Sequence, residues 1–110
     1  MSTNRIESYE DFFPYYLREH RRPITRAWHY AGTSFAIAVF IAGIATGTWW
    51  LILLALVAGY GPAWVGHFFF EKNRPATFDY PLWSLRGDFH MLWLFLTGRL
   101  GRRLKDAGVA

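Results

Sequence analysis

The chain of 110 residues has no cysteine, which excludes a disulfide framework, a thiolate nucleophile and any cysteine-ligated metal. Histidine is scarce: there are four, too few for a histidine-rich di-iron membrane hydroxylase of the desaturase kind. The sequence has no GxSxG elbow, no glycine-rich phosphate loop and no CxxC pair, so nothing in it supports a nucleophilic hydrolase or a nucleotide site. Internal repeats and low-complexity segments are also missing. The most informative absence is local. The 44 residues from Ala27 to Phe70 contain no Asp, Glu, Lys or Arg, although the chain carries twelve basic and eight acidic side chains.

What fills that run is Leu, Ile, Ala, Val, Phe and Trp. Hydrophobic residues make up 53% of the chain and aromatics 20%. A domain this small has too much surface to bury them all. One helix needs about 20 apolar residues to cross a bilayer, so the run is long enough for two crossings and a tight turn. The fold expected is all-α: a transmembrane hairpin of about 24–46 and 50–72, preceded by an interfacial helix of about 8–20. A partly membrane-embedded helix of about 82–100 follows. The length suggests one membrane domain, 1–110. The first apolar run starts near residue 31, behind charged and aromatic residues, so a cleaved signal peptide is not expected.

Local signals place the ends of these helices. Ser8-Tyr9-Glu10-Asp11 reads as a capping box, and Pro23 ends or redirects the first helix. Phe12, Phe13, Tyr15 and Tyr16 suit an interfacial aromatic belt. Gly32, Ala36, Gly43 and Gly47 would let a second helix approach closely, and Gly47-Thr48 suits a turn. Pro62 predicts a kink in the returning helix. In the last helix, Leu82, Trp83, Leu85, Phe89, Leu92, Trp93 and Leu96 give a broad apolar face, while Arg86, Asp88 and His90 argue against a simple span. Arg99 to Lys105 reads as a basic tail.

Five Lys or Arg precede the uncharged run, seven follow it, and the central turn has none. The positive-inside rule then puts both termini in the cytoplasm. Net charge is +4. Its placement around the apolar run fits anionic lipid headgroups and gives no reason to expect nucleic acid. Nothing in the sequence fixes an oligomeric state.

A hairpin returns His67 to the membrane face of His29, with His20 and Glu71 at the same level. Histidine suits iron, zinc or copper, and two histidines with a carboxylate form the ligand set of non-haem iron oxygenases. His67 and Glu71, four apart, could grip one ion from one helix. Arg74 follows that turn and could pair with a carboxylate. Arg22 and Arg26 fit lipid anchoring, and His90 an interfacial hydrogen bond. Two other readings use the same residues: a small haem protein with bis-His ligation, and a non-enzymatic membrane adaptor or scaffold.

Three segments carry a family resemblance. They are Tyr16-Leu17-Arg18-Glu19-His20, Arg26-Ala27-Trp28-His29-Tyr30-Ala31-Gly32-Thr33 and the block from Ala63 to Ala76, which contains GHxxxExNRPA. Together they resemble the small membrane family typified by the fungal iron(II)-dependent 2-hydroxy fatty acid dioxygenase of phytosphingosine breakdown, in a bacterial-type member. The resemblance covers roughly residues 9 to 100. It implies Fe(II) as cofactor and 2-hydroxy fatty acid and O2 as substrates. The implied reaction is an α-oxidation that shortens the acid by one carbon. His20, His29 and His67 match family histidines and are the implied metal ligands; His90 matches none. Glu71 is then a ligand or a base beside one, and Arg74 a partner for the substrate carboxylate.

Overall fold

A computed structural model describes residues 5–109. All regular structure among them is helical. The chain forms α1 (Tyr9–Arg18), α2 (Pro23–Thr46), α3 (Trp50–Val65), a six-residue π-helical turn (Gly66–Glu71), a 3₁₀ turn (Ala76–Phe78), α4 (Pro81–Leu96) and α5 (Leu100–Asp106). These elements pack as two compact units. One joins the residues up to Arg21 to those from Ala76 onward; the other is Arg22–Pro75.

The Arg22–Pro75 unit is the hairpin. Pro23 stands at the first position of α2, where its missing N–H removes no helical bond. The helix ends at Gly47, whose φ of +68° is a left-handed cap that few other residues adopt cheaply. Gly47 therefore makes the turn, and nothing packs on it. The close approach that small residues promised occurs at Gly43 and Gly32. At Gly32 a Cβ would lie 2.8 Å from the carbonyl oxygen of Gly59 and 3.2 Å from Cβ of Pro62. The segments Pro23–Thr46 and Trp50–Glu71 are each long and apolar enough to cross a membrane. Their outer faces leave Phe35, Ile41, Ile44, Leu53 and Val57 exposed, with Val57 at 66%. A core helix of a water-soluble protein would bury such residues.

α3 runs on through Pro62, and the departure from α-geometry comes at Gly66 instead of at the proline. From Gly66 to Glu71 the helix widens to π-form and closes at Lys72, the only non-glycine residue with positive φ among those described. Single π turns inside α-helices recur at functional sites.

The other unit is built on aromatic packing. Ser8 caps α1, accepting a bond from the Asp11 N–H at 3.2 Å. With the cap at Ser8, Pro14 lies inside the helix, beyond its first turn. Phe12, Phe13 and Tyr16 do not form an interfacial belt: all are at most 1% exposed. They are the core, because α4 lies against them. Phe12 packs on Trp83, and the Tyr16 ring lies over Gly87, where a Cβ would come within 3.0 Å. The exposed apolar stripe belongs to α4, where Leu82, Leu85, Phe89, Trp93 and Leu96 follow helical spacing. α4 stops at Leu96. Gly98, at φ +74°, turns the chain, and the Arg99 N–H donates to the Leu94 carbonyl in a Schellman closure. The expected basic tail is therefore partly a helix, α5, with Leu100 and Leu104 buried.

His90 belongs to this unit. It stacks on Phe13 at 4.0 Å, and its Nδ1 is hydrogen-bonded to the Tyr9 hydroxyl, 2.9 Å away. The guanidinium of Arg86 lies over the Tyr9 ring and that of Arg103 over Phe13. Burial, helped by Arg103 and Arg86, holds the His90 imidazole below its ordinary pKa of 6.5. Burial also pushes the Tyr9 hydroxyl up to about 12 against the opposing pull of the two arginines. For His90 the consequence has a definite sign. Above its ordinary pKa the imidazole is neutral whether folded or not. Below it the unfolded chain takes the proton first, and stability falls as the pH drops through the folded value. The detergent-solubilised protein should therefore lose thermal stability between about pH 7 and pH 5, and His90→Gln should lose measurably less over the same interval.

Candidate metal centre

α2 carries His29 on its second turn, and the π turn carries His67. Both are buried, at 4% and 1% exposure. The local sequence explains the approach. A Cβ on Gly66 would sit 3.2 Å from the Thr25 carbonyl oxygen and 3.2 Å from Cβ of Trp28, so only glycine lets the π turn lie this close to α2. The result is a pair of imidazoles at right angles, Nε2 to Nε2, 3.1 Å apart.

A hydrogen bond that spacing alone does not reveal sets the tautomer of His67. Its Nδ1 lies 2.7 Å from Oδ1 of Asn73. An amide oxygen only accepts, so Nδ1 donates and Nε2 turns a lone pair toward His29. A neutral His29 completes the contact by donating its Nε2–H to that lone pair, and a cation between the two nitrogens can take the place of the proton. The separation suits a cation. Two nitrogen ligands about 2.1 Å from one ion and at right angles lie about 3.0 Å apart. Buried imidazoles, a fixed Nε2 and an outer hydrogen-bond partner make a donor set that fits iron, zinc or copper.

Asn73 comes into range because the chain folds back at Lys72. The N–H groups of both Lys72 and Asn73 bond to the His67 carbonyl. Asn73 lies inside the GHxxxExNRPA block, so the sequence contained the signal, but its i+6 spacing from His67 matches no α-helical face. Asn73→Leu should keep the fold and weaken metal binding by about 10- to 100-fold, the usual cost of losing an outer partner of a histidine ligand. Metal titration of the purified protein would measure this, and an unchanged affinity would show that Asn73 does not orient His67.

Glu71 lies at the end of the π turn, where its Oε1 accepts the Arg22 backbone N–H at 2.9 Å. The Arg22 guanidinium also reaches the Phe70 carbonyl at 3.1 Å. Glu71 thus ties the end of the returning helix to the start of α2, which lacks a side-chain cap of its own. Arg74 is exposed, just ahead of the buried Pro75. His20 closes the other unit's first helix. It is fully buried, and its Nδ1 donates to the Tyr16 carbonyl at 2.6 Å, which leaves the lone pair on Nε2. His20 and His67 therefore share one arrangement: Nδ1 used internally, Nε2 as the ligand-type nitrogen.

A family model described as "2-hydroxy-palmitic acid dioxygenase Mpo1-like" matches residues 6–100. Neither the curated proteins nor the solved structures yield a match to this chain.

Proposed function

The chain belongs to the Mpo1-like family, and from that premise we propose that it is an iron(II)-dependent dioxygenase that shortens 2-hydroxy fatty acids by one carbon. The observation that carries the reading is the buried His29–His67 pair with Nε2 atoms 3.1 Å apart and one tautomer held by Asn73. His20 is the third ligand in this proposal. Its sequence position ahead of α2 and its internally bonded Nδ1 support the assignment. Iron(II), when bound, supplies the redox chemistry that lets O2 react with a 2-hydroxy acid. The balance closes without another oxidant: 2-hydroxy acid plus O2 gives the acid one carbon shorter, carbon dioxide and water.

The protein's own residues then have separate tasks. His67 is oriented by Asn73 and His20 by the Tyr16 carbonyl, so neither ring has to reorganise on binding metal. Glu71 stabilises the turn that carries His67 through its bond to Arg22. Arg74 pairs with the substrate carboxylate, as a guanidinium does well. The apolar faces of α2, α3 and α4 keep the acyl chain in lipid or along the helices, and a dry surrounding excludes bulk water from the site. By the positive-inside rule, both termini and the metal site face the cytoplasm from an inner membrane.

A haem held between His29 and His67 fits less well. The two Nε2 atoms stand 3.1 Å apart in hydrogen-bonding contact, which leaves no room for a porphyrin between the rings. The test is direct. Protein purified in detergent is analysed for metal and incubated with 2-hydroxypalmitate, iron(II) and air. The proposal expects bound iron, no Soret band and formation of the shorter acid. A Soret band, or metal-free protein with no turnover after iron is added, would overturn it.

A further inference from the structure

Thr25 has no part in the site as described so far, yet it is fully buried, and its hydroxyl has no hydrogen-bond partner. An apolar residue of the same shape would remove the cost of burying an unsatisfied hydroxyl. Its location is specific. Thr25 stands four residues before His29 on α2, so both project from one face of the helix. Its Cγ2 lies against Gly66, 3.4 Å from where a Cβ would be, and Gly66 immediately precedes His67. The methyl group of Thr25 is therefore held in the contact between α2 and the π turn that also produces the histidine pair, and the unsatisfied hydroxyl stands on the same buried side chain, one helical turn before His29.

We propose that Thr25 is a specificity-determining residue whose Oγ1 hydrogen-bonds the polar head of the bound 2-hydroxy acid and recognises its 2-hydroxyl. The proposal rests on the function given above and adds the group that distinguishes the substrate from an ordinary fatty acid. A single metal ion and an arginine would receive any carboxylate. A buried hydroxyl left unsatisfied without ligand rewards only a ligand that brings a matching polar group to that point. Such a hydroxyl can donate and accept, as the 2-hydroxyl can, so the bond forms in either direction.

The test uses the full chain loaded with iron(II) under anaerobic conditions, so that binding is read without turnover. Thr25→Val removes the hydroxyl and keeps the shape; Thr25→Ser keeps the hydroxyl. Valine should leave iron affinity unchanged and raise the thermal midpoint of the ligand-free protein. It should weaken 2-hydroxypalmitate binding by about 5- to 10-fold, the scale of one neutral hydrogen bond, and leave palmitate binding unaltered. Serine should restore the preference. Equal binding of 2-hydroxypalmitate by wild type and Thr25→Val would overturn the proposal while leaving the function intact. A lower midpoint together with lost iron in Thr25→Val would also overturn it, by showing a structural role. Failure of the wild type itself to bind 2-hydroxypalmitate when iron-loaded would instead sink the substrate assignment, and this proposal with it.

Discussion

Alanine at His29 or at His67 should each strip the protein of stoichiometric iron and lower turnover of 2-hydroxypalmitate by more than about 100-fold. That lower bound follows from the outer partners: losing a hydrogen bond to a ligand already costs about 10- to 100-fold, and losing the ligand itself must cost more. The two substitutions should be close to equivalent. The imidazoles face each other through Nε2, and removing either leaves one nitrogen where two converged. Stability should fall as well, because the remaining ring loses its Nε2 partner at 3.1 Å and a cavity is left behind. The measurements are iron per chain, far-ultraviolet circular dichroism and turnover on the same detergent preparations. Full iron content in both alanine variants, with helicity retained, would remove the pair from the metal site.

The second large effect should come from a residue that touches no ligand. Gly32→Ala places a methyl 2.8 Å from the Gly59 carbonyl oxygen and 3.2 Å from the Pro62 ring. Two opposing terms decide the outcome. Alanine is favoured over glycine inside a helix by about 1 kcal/mol. Overpacking a tight contact costs about 1–3 kcal/mol. The clash should win, because its partner is backbone and cannot rotate aside as a side chain would. α2 and α3 must then separate, and His29 lies three residues from Gly32, so the histidine pair should loosen as well. We expect a lower thermal midpoint and a weaker metal affinity in the same variant. Gly101→Ala is the control: it is exposed on α5 with open space around it, and should be neutral or mildly stabilising. A Gly32→Ala protein as stable and as metal-avid as wild type would show that the close crossing at Gly59 is not what holds the hairpin.

Much of this was readable from residue order alone. The hairpin, its two spans and the return of His67 toward His29 follow from one uncharged run with a turn at its centre. Other features were misplaced for physical reasons. Phe12, Phe13 and Tyr16 read as belt residues because an aromatic at a membrane surface and an aromatic in a small core have the same composition. Only the partners on α4, Trp83 and Gly87 among them, distinguish the two. Nothing in residue order marked Gly66, four residues after Pro62, as the place where the helix widens; close packing on Thr25 and Trp28 holds that turn. Glu71 sits four residues from His67 and looked like a second ligand or its base. What spacing did not show is that its carboxylate also accepts the backbone N–H of Arg22, 49 positions away.

The sequence by itself determined which segments are long and apolar enough to cross a membrane, which residues could bind metal and which family the chain belongs to. These depend on side-chain chemistry and on spacing along one helix, and both are properties of residue order. Tertiary structure alone decided that His29 and His67 meet through Nε2, that Asn73 supplies the proton acceptor, and that Thr25 keeps a buried hydroxyl without a partner. The reason is geometric. A π turn and a left-handed Lys72 break the period by which a sequence can be projected onto a helix face, and contacts across a hairpin depend on how closely two helices approach. That approach is set at Gly32 and Gly66, where the missing side chains matter more than any side chain present.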